Sequence, residues 1–222
     1  MTNDIKKSDT ELKTDVLAEL RYEPSVKVSD IGVLVKDGTV TLNGYASNYS
    51  EKWNAVQAAK RVAGVKALAD DIVVKLADSL RRSDGDIAAA AANQLDWCIT
   101  VPKGAIKVTV REGWISLDGE VEWWYQKNAA EDAVKYLAGV KGVTNLIRIK
   151  PRLVSADIEK TIKSAFERNA LLDAQKIQVE TSGSKVILRG KVRNYAEWEE
   201  AARAAWGAPG VFSVDNQLTV SY

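Results

Sequence analysis

Apolar residues recur every fourth position at Leu12, Val16 and Leu20, again at Ile87, Ala91 and Leu95, and again at Ile158, Ile162 and Phe166. This spacing puts each set on one face of a helix. Downstream of each set the period changes to two, at Ile31, Val33 and Val35, at Ile106, Val108 and Val110, and at Ile177 and Val179. That alternation predicts a strand with one buried face. A turn follows at Asp37-Gly38, Glu112-Gly113 and Ser182-Gly183, where glycine can take the positive φ that tight hairpins require. The third copy places its glycine differently, which predicts another turn geometry. A second strand starts with Val40 and Leu42 and is expected to close at Gly44.

The second helix opens with Asn48-Tyr49-Ser50-Glu51 in one copy and Asn194-Tyr195-Ala196-Glu197 in another. Each places a capping amide three residues before a glutamate, the pair that satisfies free N–H groups at a helix start. Alanine-rich turns then lead to Gly64, Gly139 and Gly210, suited to left-handed C-caps. A last strand carries Ile72 and Val74, Ile147 and Ile149, or Leu218 and Val220.

These landmarks form an internal repeat. VLVKDGTVTLNG ends at Gly44 and VTVREGWISLDG at Gly119, a shift of 75 residues (119 − 44); VETSGSKVILRG ends at Gly190, a further 71 (190 − 119). The same shifts carry Gly64 to Gly139 and Gly210, Val65 to Val140 and Val211, and Leu20 to Leu95 and Phe166. The period exceeds that of ordinary solenoids, so each copy is expected to be a domain rather than a layer. The fold class is α+β: three tandem αββαβ domains, each a three-stranded mixed sheet with two helices on one face. The right-handed crossover of a helix joining two parallel strands leads to this arrangement. The expected domains are residues 1–78, 79–152 and 153–222.

Composition narrows the function. Hydrophobic residues make up 46% and charged residues 27% of the 222, the balance of a globular protein rather than a disordered or membrane-spanning one. A net charge of +1 gives no overall field toward a phosphate backbone, so no nucleic-acid partner is expected. No transmembrane segment is expected either, since no apolar run is long enough. The start, MTNDIKKSDTELK, has lysines with no apolar stretch behind them, and the expected localisation is cytoplasmic. The single Cys98 rules out an internal disulfide and fits a reducing compartment.

The chain has no histidine, which removes Ser-His and Cys-His catalytic pairs and histidine-ligated metals; one cysteine cannot build a thiolate cluster. The adjacent carboxylates Asp70-Asp71 and Glu199-Glu200 read as solvated surface. The glycines of LAGVKG follow a helix, where a phosphate-binding loop would follow a strand. The chain is therefore expected not to be an enzyme, with no catalytic residue, no metal and no cofactor.

Tryptophan is the unusual residue, seven against two phenylalanines. Tyr49, Trp124 and Tyr195 align and read as part of the fold, as do Trp53, Trp198 and Trp206 in the second helices. Three positions are particular to the middle copy. Trp97 stands where the others have Tyr22 and Arg168, Trp114 where they have Thr39 and Lys185, and Trp123 where they have the capping asparagines. Trp97, Trp114 and Trp123 are the candidate partner or interdomain contacts. They bury the seams beside the short linkers at Ala77–Arg82 and Pro151–Ser155, or they present an aromatic surface to a lipid or protein partner.

The strand-ending glycines of VTLNG, ISLDG and VILRG, the helix ends VAGV, LAGV and GAPGV, and the late strands LADDIVV, VTNLIRI and VDNQLTV together resemble the BON family, in three copies over nearly the whole chain. The resemblance implies a non-catalytic adaptor associated with osmotic or envelope stress, binding a phospholipid surface or a protein partner. Its alternative is a potassium-sensing module, potassium being the one ion the resemblance brings in. Sequence pattern selects neither the ligand nor an oligomeric state.

Overall fold

The computed structural model describes residues 7–150 and 157–220. In the first repeat α1 (Asp9–Tyr22) is followed by β1 (Ile31–Lys36), β2 (Thr39–Ala46), α2 (Tyr49–Arg61) and β3 (Ala67–Val74). The middle repeat has α3 (Asp84–Trp97), β4 (Ile106–Arg111), β5 (Trp114–Val121), α4 (Trp124–Val134) and a last strand broken into β6 (Gly142–Asn145) and β7 (Arg148–Ile149). The third has α5 (Ile158–Arg168), β8 (Ile177–Ser182), β9 (Lys185–Val192), α6 (Tyr195–Trp206) and β10 (Ser213–Val220). The three helical stripes are buried as their spacing predicts.

Each sheet has its second strand at the centre, in the orders β1-β2-β3, β4-β5-β6 with β7 also on β5, and β8-β9-β10. The hairpin pairs are antiparallel in all three repeats. In the middle and third repeats the last strand runs parallel to its neighbour, the result of the helical crossover. Among the described residues no sheet joins strands of two repeats. The middle core gathers Ile87, Ala91, Leu95, Ile115, Leu117, Ala130 and Val134; the third gathers Ile162, Phe166, Val186, Leu188, Ala201 and Ala205.

Gly44 does not close its strand. β2 continues to Ala46, and Gly119 and Gly190 likewise lie inside β5 and β9. The reason is a close approach: a Cβ on Gly44 would lie 2.1 Å from the Asp30 carbonyl oxygen, and one on Gly119 2.1 Å from that of Ala105. The hairpin turns divide as the displaced glycine predicts. Asp37-Gly38 and Glu112-Gly113 have positive φ at both central residues, whereas in the third hairpin Gly183 alone is positive, the type I′ and type II′ patterns.

The first two hairpin tips are held from a distance. Asp9 accepts from Asp37 N–H and Gly38 N–H at 2.8 and 3.0 Å. Asp84 does the same to Glu112 and Gly113 at 2.8 and 2.9 Å. Both carboxylates sit in the first helical turn, beside the Ser8–Glu11 and Ser83–Asp86 capping boxes.

Two compact units are distinguished. One holds the first and third repeats without residues 46–52; the other holds the middle repeat with residues 46–52 and the chain from Val74. In the first unit Lys60 of α2 reaches Glu199 of α6 at 2.5 Å. The boundary expected at 152 and the linker Pro151–Ser155 lie outside the described residues.

Candidate binding surface of the middle repeat

The three tryptophans do not form one cluster. Trp97 ends α3 and is 83% exposed; Ile99, two residues on, is fully exposed. The loop beneath them is fixed, because Cys98 N–H donates to Gln94 O and Leu95 O, and Val101 N–H donates to Cys98 O. Val101 is buried in the core. A groove of about 170 Å3 runs between α3 and β4, lined by Ala88, Ala92, Leu95, Val101 and Ile106. Small alanines on this face of α3 leave it open. Lys103 is exposed in the same loop.

Trp114 lies at the hairpin-tip end of β5 and Trp123 just past the other end. Trp114 donates its indole N–H to Thr144 Oγ1 at 2.8 Å and stands opposite Gly142 across the parallel pair. A Cβ on Gly142 would fall 2.5 Å from an indole ring carbon, so the ring lies on the glycine and covers its bare backbone. The sister pairs are Thr39 with Ala67 and Lys185 with Ser213. Glycine beside the tryptophan was a sequence signal for this packing.

Trp123 occupies the capping place of α4 without a side-chain cap, half-buried and stacked on Tyr125 at 6.4 Å and 27°. Gln126 takes over, its Oε1 accepting from Glu122 N–H at 3.0 Å and Trp123 N–H at 3.1 Å. None of Trp97, Trp114 and Trp123 is among the apolar side chains packed on the middle core, whereas Tyr49 of the first repeat is. In the third repeat Tyr195 packs on Trp198 at 5.9 Å, and Trp198 and Trp206 pack on the core.

Lys127 aligns with Trp198, and the two make one contact by different chemistry. Lys127 Nζ donates to Ile147 O at 2.8 Å, and Trp198 Nε1 to Leu218 O at 3.1 Å. Burial holds the Lys127 ammonium below the usual lysine range, and the nearby Glu131 charge opposes that shift only in part. Lys135, also buried, has its pKa raised although desolvation, the largest single effect, lowers it: Asp132 at 2.6 Å and Tyr136 together outweigh burial.

Three of the four adjacent carboxylates have structural partners. Asp70 accepts from Ile72 N–H, Glu199 pairs with Lys60 and Glu200 with Arg203. Among the described residues no group of three or more His, Cys, Asp or Glu could hold a metal ion, and no helix is long and apolar enough to cross a membrane.

The BON domain family model matches residues 8–75, 83–151 and 155–222. Osmotically-inducible protein Y of Escherichia coli K12 is 30% identical over 146 residues, spanning 64% of this chain and 73% of the relative. Among solved structures, the C-terminal domain of CdsD, a structural protein of the type III secretion system of Chlamydia trachomatis, is 12% identical with a TM-score of 0.27, covering 97% of this chain and 100% of that one. The PrgH periplasmic domain is 12% identical with a TM-score of 0.20, covering 94% and 98%. At those scores the two structures carry no argument about function. Kinship with osmotically-inducible protein Y overturns the expected cytoplasmic localisation. The expectation rested on the residues at the chain's start and on one unpaired cysteine, and neither reports a compartment.

Proposed function

The chain belongs to the BON family, and from that premise we propose that it is a non-catalytic, osmotic-stress-associated binding protein of the bacterial envelope that docks on a phospholipid surface through the tip carrying Trp97 and Ile99. The observation that carries this reading is the exposure of two large apolar side chains, 83% and 102%, on one short loop. An indole is suited to the boundary between headgroups and acyl chains, having an apolar body and a polar N–H. An apolar point with a lysine in its loop suits a soft, negatively charged surface better than a flat folded partner, which calls for a broader hydrophobic patch. The osmotic-stress role is supported by the relative, an osmotically inducible protein.

Co-sedimentation with vesicles tests the reading. The full chain is expected to bind vesicles containing phosphatidylglycerol more tightly than pure phosphatidylcholine. Trp97→Ala combined with Ile99→Ser is expected to weaken that binding by about tenfold to a hundredfold, since each group loses its apolar transfer. Equal binding by wild type and the double variant would remove the tip from the function. Capture of a protein partner by wild type but not by the variant, with no vesicle binding, would replace the lipid by a protein.

A further inference from the structure

A cavity of about 820 Å3 lies elsewhere on the same compact unit, between the chain leaving β3 and the hairpin-tip end of the middle repeat. Four cationic side chains line it, Lys75, Arg81, Arg82 and Lys141, against two carboxylates, Asp84 and Glu112. The Asp84 carboxylate is already committed: its two oxygens accept from the backbone N–H groups of Glu112 and Gly113. Arg81 pairs with Asp78 at 3.2 Å, and the lining itself still holds four cations against two carboxylates.

One guanidinium and the base of one lysine are held in place. Arg82 Nη1 donates to Ser79 O at 2.9 Å and Arg81 O at 2.7 Å, so the linker's own carbonyls orient the guanidinium. Lys141 N–H donates to Gly113 O at 2.9 Å, and the lysine stem lies along Gly113, where a Cβ would meet its Cγ at 3.3 Å. Arg82 comes from the linker wall and Lys141 from the turn after α4. A guanidinium and a lysine lining one cavity are a pair suited to the oxygens of a phosphoryl group. The volume falls in the range of small-molecule sites, about 300–1,000 Å3, and exceeds what a bare phosphate fills. The third repeat lacks the pair, with Leu153 and Phe212 at the aligned positions, whereas the first repeat has Lys7 and Lys66 there. In the first repeat Lys7 Nζ is bonded to Asp15 at 2.6 Å.

We infer that this cavity binds a phosphate ester, with its phosphoryl oxygens between Arg82 and Lys141. The ester is either a phospholipid headgroup or a soluble phosphate monoester. In the headgroup form the inference rests on the membrane reading above; in the soluble form it stands alone.

The test titrates the full chain with glycerol 3-phosphate by calorimetry and, separately, with phosphatidylglycerol vesicles by co-sedimentation. Arg82→Gln with Lys141→Gln is compared with Lys13→Gln and Lys36→Gln, two exposed lysines of the first repeat that remove the same charge. The cavity pair is expected to lose about tenfold or more in affinity, and the control pair to stay within about twofold. Loss with glycerol 3-phosphate assigns a soluble ester, and loss with vesicles alone assigns a headgroup. Trp97→Ala with Ile99→Ser is expected to leave glycerol 3-phosphate binding unchanged. Vesicle binding that depends on the Trp97 tip but not on the cavity pair would overturn this inference and keep the membrane reading. Equal losses in the two pairs, or no binding of either probe, would also overturn it.

Discussion

At the start of α6, Asn194 Oδ1 accepts from Glu197 N–H at 2.8 Å, and Glu197, 3% exposed, turns its carboxylate back to Arg193 N–H at 2.7 Å and Asp173 N–H at 3.2 Å. At the start of α4 the same backbone positions carry Trp123 and Gln126. Gln126 meets two N–H groups with a neutral amide, and no side chain caps from the Trp123 position. The first repeat follows the third, with Asn48 and the buried Glu51. Helix starts thus satisfy their N–H groups by a buried charge in the flanking repeats and by an amide in the middle one. The middle repeat has exchanged a strong local interaction for an aromatic side chain at its surface.

The largest effect that separates the two arrangements is removal of the N3 side chain. Glu197→Ala strips an ionised acceptor from two backbone donors and is expected to cost the third repeat about 2–3 kcal/mol. Gln126→Ala removes a neutral acceptor and is expected to cost the middle repeat about 1 kcal/mol. Hydrogen exchange of core amides in each repeat of the full chain reads both. Equal costs would show that charge adds nothing at this position and would erase the contrast.

Much of this was legible in the sequence, because it depends on local spacing. Asn48 to Glu51 and Asn194 to Glu197 declare their caps at a fixed interval of three, and the helical stripes and hairpin glycines declare their elements in the same way. What was not legible depends on contacts across the fold. The Asp84 clasp on residues 112 and 113 joins groups 28 and 29 positions apart, and nothing in DGDIAAAA distinguishes it from ordinary first-turn acid at a helix N-terminus. Gly44 reads as a strand end until the Asp30 carbonyl is seen against it. Trp114 was legible as an exception, but its partner Gly142 was legible only by aligning two positions at once. Trp97 was legible as an exception through its counterpart Arg168, but its other counterpart Tyr22, itself 82% exposed, is an aromatic that sequence alone reads equally as core. The cavity escapes the sequence because its cations come from a linker and a distant turn.

A smaller effect concerns acid. Glu200 of α6 is held below the usual glutamate range, first by hydrogen bonding to Arg203, with Asn169 adding to it against the opposing effect of burial. Its counterparts are Asn54 and Ala129, so this ion pair belongs to the third repeat. A carboxylate with a lowered folded pKa contributes stability that is present above its unfolded value, about 4.3, and is lost as pH falls through the folded value. The protection of third-repeat amides is therefore expected to fall as pH drops below that unfolded value. Glu200→Gln is expected to flatten this slope in the third repeat while leaving that of the middle repeat, where the Ser83–Asp86 box holds the Asp86 carboxyl low, unchanged. Identical slopes with and without Glu200 would take the pair out of the acid response.

The smallest effect is the exchange of the capping residues themselves. Trp123→Asn restores a cap expected to contribute about 1 kcal/mol and removes the stacking on Tyr125, worth about 0.5–1.5 kcal/mol. The two terms oppose, so the middle repeat is expected to change by less than about 1 kcal/mol. Asn194→Trp has no such offset: it removes the Glu197 N–H acceptor, and the third repeat is expected to lose about 1 kcal/mol. The asymmetry between reciprocal substitutions, read by hydrogen exchange in one chain background, measures what Trp123 returns to its own repeat. A loss of more than about 2 kcal/mol on Trp123→Asn exceeds any cap or stacking term. Trp123 would then be a packing residue of the middle repeat, and its replacement of an asparagine would need no contact beyond that repeat.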